Sequence, residues 1–134
     1  LTFSRFGGAP QMKIQVRIYQ SIIPIGLWHS IESTSIYYTQ LDCPRSEAIK
    51  FHHGADTLKE YAIEEFLFKG EMPEDGKVYE FNDPVDCEFL KLAARVPASH
   101  WKFWANIRDK IKAGCNKQEV IEQLSVKAIS RALE

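Results

Sequence analysis

Cysteine, methionine and glycine are all scarce in this sequence, and each shortage closes off a class of protein. Three cysteines in 134 residues, Cys43, Cys87 and Cys115, are odd in number and too widely spaced for a disulfide framework. They read as free thiols in a reducing, cytoplasmic compartment, each behaving as a small buried hydrophobe. No pair stands at metal-ligand spacing, so neither a metal nor any other cofactor is expected. The seven glycines build no phosphate-cradling loop and no nucleophile elbow. No apolar run approaches the roughly 18 residues of a membrane helix, which predicts a soluble chain with no membrane partner. Leu1 to Gln11 lacks the apolar stretch of about 7–15 residues that marks a signal peptide. It reads as an extension ahead of one domain over residues 12–134.

The chain does hold enough apolar residues, 45%, to bury a core without metal or disulfide help. Its net charge of −1 hides a strong asymmetry. Residues 54–88 carry three basic and eleven acidic side chains, while residues 89–134 carry nine basic and four acidic ones. Such a division orients a partner on one face, or else the two blocks neutralise each other across the fold.

Met12, Ile14, Val16 and Ile18 alternate with polar neighbours, the period of a half-buried strand. The run Ile22 to Trp28 contains Pro24, which allows an edge or bulged strand at best. Thr34 to Leu41 is rich in β-branched and aromatic residues and reads as a third strand. Short connections between these runs predict an antiparallel meander. Asp42, with Pro44 and Glu47 behind it, predicts a helix ending near Gly54. Thr57-Leu58-Lys59-Glu60 is a capping box opening a helix to Gly70, with Leu58, Tyr61, Ala62, Phe66 and Leu67 towards the core. Lys77 to Asn82 predicts a short strand joining the sheet. Asp83-Pro84 starts a helix to about Val96, and Ser99 caps the next, whose Trp101, Trp104, Ile107 and Ile111 form its buried stripe before Gly114. The expected fold is therefore α+β: a small antiparallel sheet from residues 12–41 plus 77–82, packed with four to five helices and ending in a basic helical part, about 98–134.

Asn116-Lys117-Gln118-Glu119 is a second capping box. From Ile107 to Leu133, through Gly114, this box, Leu124 and Ser125-Val126-Lys127-Ala128-Ile129-Ser130-Arg131-Ala132-Leu133, the chain resembles the helix-turn-helix of bacterial repressors and recombinases. That resemblance implies a recognition helix in the DNA major groove, with Lys127, Ser130 and Arg131 facing the nucleic acid and Ile129 and Leu133 holding the helix to its scaffold. The competing expectation is one helix from Lys117 to Glu134, because Ile121, Leu124, Ala128 and Ala132 make a single apolar stripe.

Three functional classes follow. The first is a non-enzymatic, regulatory or accessory nucleic-acid-binding protein, with Lys110, Lys112, Lys117, Lys127, Ser130 and Arg131 touching phosphate or base edges. The second is a protein-interaction or inhibitor domain presenting Glu60, Glu64, Glu65, Glu71, Glu74 and Asp75 to a basic partner. The third is a small ribonuclease-like enzyme, in which His52 or His53 works with Lys50 and Arg45 to move a proton and stabilise phosphate charge. Trp28, Tyr37, Tyr38 and Phe103 are secondary candidates for aromatic recognition.

Overall fold

The computed structural model describes residues 11–134; the predicted extension falls almost wholly outside them. The fold is α+β, with four strands in one antiparallel sheet and four helices. β1 (Met12–Pro24) and β2 (Ser30–Gln40) form a long hairpin at the sheet centre, paired from Ile14–Gln40 out to Pro24–Ser30. β3 (Lys50–Gly54) flanks β2, and β4 (Val78–Phe81) flanks β1, giving the order β3-β2-β1-β4. The even-numbered residues Met12, Ile14, Val16, Ile36 and Tyr38, with Phe51 and His53, are buried. Their odd-numbered neighbours Lys13, Arg17, Tyr19 and Tyr37 remain exposed on the other face.

α1 (Leu58–Leu67) packs on α3 (Trp101–Lys112), and α2 (Pro84–Ala93) packs on α4 (Lys117–Ala132). At the centre, Phe66 and Phe89 stack with ring centroids 4.0 Å apart, and Leu90, Trp104, Ile107 and Leu124 are fully buried around them. Thr57 accepts from the Glu60 amide as the capping box predicts, while the Glu60 carboxylate reaches one residue further back, to the Asp56 amide. Gly114 ends α3 with a positive φ of 83°; its amide bonds to Ile111 and the Cys115 amide to Lys110, a turn that a side chain at residue 114 would strain.

Two expectations give way. Asp42 to Gly54 is not a helix: Phe51 and His53 alternate inward against β2, and the Asp42 carboxylate accepts from the Lys13 amide and the Gln40 side chain instead of capping. The run Ile22 to Trp28 is not a strand of its own: Ile22 to Pro24 continue β1, and Pro24 stands at the last paired position with its missing donor on an open edge, where the sequence allows it. Of the two readings of the C-terminal end, the structure has the single helix: residues 117–132 run unbroken past Leu124, with Leu124 and Ala128 buried on one stripe.

Candidate nucleic-acid interface

The basic end of the molecule is built around the link between α2 and α3. Lys59 of α1 donates from Nζ to the carbonyl of Ala93, the last residue of α2, which also accepts from the Val96 amide, and to that of Val96 just beyond the helix, at 2.7 and 2.9 Å. The same ammonium lies 4.7 Å from the Phe51 ring centroid and 5.4 Å from that of Trp104. Trp104 Nε1–H donates to the Pro97 carbonyl at 3.0 Å. From α4, Arg131 Nε donates to the Arg95 carbonyl at 3.2 Å, and its Nη1 faces His100 Nε2 at 3.3 Å. A guanidinium can only donate, so His100 Nε2 is the acceptor wherever this contact is a hydrogen bond. Three side chains from three helices therefore hold residues 93–100 in place.

That anchoring sets the first turn of α3. His100 occupies the cap position without a side-chain hydrogen bond, and no acidic residue lies in the first turn. The expected Ser99 cap is displaced by one residue. Around this turn Ser99, His100, Trp101, Lys102, Phe103 and Lys127 line a basin of about 320 Å³. Lys102 Nζ lies 5.5 Å from the Trp101 ring centroid, and Lys127 Nζ lies 5.8 Å from that of Phe103. Trp101 is 57% exposed, against the burial its spacing predicts, because the stripe of α3 begins only at Trp104, which is fully buried. Free amides, two ammonium groups and an open indole thus meet where no carboxylate lines the wall. A second groove of about 570 Å³ continues between α3 and α4, sharing Phe103 and Lys127, and there Glu119 and Glu122 add negative charge.

The six basic-end candidates do not form one surface. Lys127, Ser130 and Arg131 gather at the basin and the adjoining groove. Lys117 sits about 20 Å away along α4, 3.4 Å from Asp86 and over the Phe66 ring. Lys110 pairs with Glu119 at 3.9 Å, and Lys112 lines a separate hollow with Glu64, Glu65 and Arg108. The acidic candidates divide as well. Glu60 and Glu64 are buried, Glu65 is half-buried, Glu74 pairs with Lys77, and Asp75 accepts from the Ile18 amide and faces Arg17. Only Glu71 stays exposed without an ion pair among the described residues. His52 stacks on Tyr37 on the open face of the sheet, whereas His53 points into the core, so strand geometry puts the two imidazoles on opposite sides.

Sequence reasoning leaves His100 and Lys102 out of the candidate residues and assigns Trp101 to the core. A legible signal was present: α3 starts with a lysine and no acid, the reverse of the usual helix preference. It also missed Lys59. Burial pushes the Lys59 ammonium down to about 7. Glu64 is pushed up to about 8 by burial, its hydrogen bond with Glu60 and the surrounding carboxylates. Burial lowers His53 to about 4, with the Lys59 charge adding to the effect, and drives the Tyr38 phenol far above its ordinary range. Tyr38 Oη and His53 Nε2 have no hydrogen-bond partner among the described residues.

Among the described residues no helix is long and apolar enough to cross a membrane, and no three His, Cys, Asp or Glu side chains converge as metal ligands. Comparison with protein families, curated proteins and solved structures returns no match to this chain.

Proposed function

We propose that this protein is a non-enzymatic, nucleic-acid-associated accessory protein of a reducing intracellular compartment, gripping a single-stranded segment at the basin in front of α3. The observation that carries this reading is the joint placement of Trp101, Lys102, Lys127 and the uncapped first turn of α3 around one concavity free of carboxylates. Phosphates are held by the two ammonium groups and the free amides, and a base stacks on the indole. Single strands suit this geometry better than a duplex groove, because the widest aromatic surface lies at a helix end and α4 runs unbroken. Arg131 acts through the wall, orienting His100 and the link behind it. The three free cysteines suit the reducing compartment.

The test is fluorescence anisotropy of labelled single-stranded DNA, RNA and duplex DNA across a salt series. Single strands bind most tightly, and affinity falls steeply with salt. Lys102→Ala and Lys127→Ala each lower the salt slope by about one ion. Trp101→Ala weakens binding by about 1–3 kcal/mol, and Trp101→Phe restores most of that loss. Flat titrations at low salt, or binding untouched by all three alanine substitutions, discard the reading.

A further inference from the structure

The β1–β2 hairpin runs on past the core. Every residue from Tyr19 to Glu32 is exposed, so an arm of about 25 Å projects beyond Ile18. It carries Ile22, Ile23, Ile25, Leu27, Trp28 and Ile31, with Leu27 and Trp28 about nine-tenths exposed. No Asp, Glu, Lys or Arg occurs between Tyr19 and Ile31. The arm's backbone is also unfinished. On the outer edge of β1, β4 and its approach close the ladder through Val16, which bonds to Lys77 and Gly76, and Asp75 Oδ1 takes the Ile18 amide. Pro24 ends that edge. Between them the backbone N–H and C=O groups of Gln20 and Ile22 point outward with no partner among the described residues.

We propose that this arm is a dimerisation element, pairing through its β1 edge with the same edge of a second copy about a two-fold axis at Ser21. The register follows from the two open residues. Gln20 opposite the partner's Ile22, and Ile22 opposite the partner's Gln20, close four backbone hydrogen bonds, with Ser21 facing the partner's Ser21 in the intervening pair. On the open sheet face this places Tyr19 against the partner's Ile23 and Ile23 against the partner's Tyr19, both favourable aromatic and β-branched pairs. An isologous contact brings like charges together at its axis, and this edge carries none. The alternative edge, β2, would bring two Glu32 carboxylates into one strand pair. A polyanionic partner is disfavoured because the arm offers no cation. With six side chains half to nine-tenths exposed, the arm presents roughly 800 Å² of apolar surface, the share one partner brings to a standard interface. This inference does not depend on the nucleic-acid reading, which uses the opposite side of the chemistry and other residues.

Light scattering and sedimentation equilibrium of the full chain over a micromolar concentration series test it, with oxidative cross-linking as a second readout. Twice the chain mass is expected, insensitive to salt. Ile22→Lys, at an exposed position, halves the observed mass and leaves the circular dichroism unchanged. Ile129→Lys on α4 leaves the dimer intact. Ser21→Cys forms a covalent dimer at the axis, where opposed Cα atoms lie within disulfide reach, above the background of the parent chain; Ile31→Cys on β2 does not. A single-chain mass at every concentration overturns the proposal. So does a dimer that survives Ile22→Lys but not Ile129→Lys, a mass beyond twice the chain, cross-linking at Ile31→Cys alone, or a single-chain species that sediments with phosphatidylcholine vesicles.

Discussion

Helix α1 and the β1–β2 arm invert the ordinary distribution of side chains. The helix takes Lys59, Glu60 and Glu64 into the interior, while the arm holds six large apolar side chains in solvent. The two inversions differ in whether their requirements are met inside the chain. Lys59 finds the carbonyls of Ala93 and Val96, at and just beyond the end of α2, and two aromatic faces, so its burial ties down a helix end. The arm finds nothing among the described residues. Ile22, Leu27 and Trp28 touch no core, and the amides of Gln20 and Ile22 meet no ladder. A buried charge with partners belongs to the architecture of the monomer, whereas an exposed apolar surface with open backbone points outside it.

The comparison breaks most readily under alanine substitution. Lys59→Ala removes both carbonyl bonds and the aromatic contacts and leaves a cavity, at a cost of about 3–5 kcal/mol in urea unfolding. Trp28→Ala, a larger truncation, changes stability in dilute solution by no more than about 0.5 kcal/mol. Comparable losses from the two variants would mean that the arm is covered within the single chain.

Proton linkage gives a second, smaller contrast. Lys59 holds its proton up to about 10.5 when unfolded but only to about 7 in the fold, so stability rises as pH climbs from about 7 to about 10.5. Glu64 is protonated in the fold up to about 8, against an ordinary 4.5, so stability falls as pH climbs between those values. His53, lowered from 6.5 to about 4, adds a rise between those two limits that partly offsets the Glu64 fall. Urea midpoints therefore pass through a trough between about pH 7 and 8. Lys59→Met flattens the alkaline limb and Glu64→Gln the limb below it, while arm variants leave the profile unchanged.

Period and caps carried most of the fold. The alternation in Met12–Ile18, the Thr57 box, Asp83-Pro84 and Gly114 each name a boundary that the structure keeps. The miss at Asp42–Gly54 arose because a five-residue strand offers only Phe51 and His53 as inward positions, too few to outweigh an Asp-x-Pro helix start. The candidate site was half legible. Lys127, Ser130 and Arg131 share one end of α4 beside the basin, a proximity their spacing shows, but which lysines are spent on Asp86 or Glu119 is a tertiary fact. The burial of Lys59 was invisible for the same reason: its partners lie 34 and 37 residues further along the chain. The arm was hidden by its own sequence, since Ile22 and Ile23 look like core to any pattern that reads hydrophobicity without knowing where the helices stop.

Asp75 marks the line between the finished and unfinished halves of β1, and a small change in stability is expected there. Its carboxylate takes the Ile18 amide at 2.8 Å and stands 3.6 Å from Arg17, closing the edge one open position before Gln20. Both contacts are exposed, so Asp75→Ala costs only about 0.5–1 kcal/mol in chemical unfolding. The same change frees the Ile18 amide and lengthens the open edge; across the proposed axis that amide faces the partner's Pro24, whose carbonyl can accept it although its nitrogen donates nothing in return. One added bond on each side of the axis, with the Ile18 carbonyl still lacking a donor, is expected to tighten self-association several-fold in sedimentation equilibrium. Asp75→Asn keeps an acceptor at the same reach and recovers most of the stability. Self-association left unchanged by Asp75→Ala would move the axis from Ser21 towards the tip of the arm and take Ile18 out of the contact.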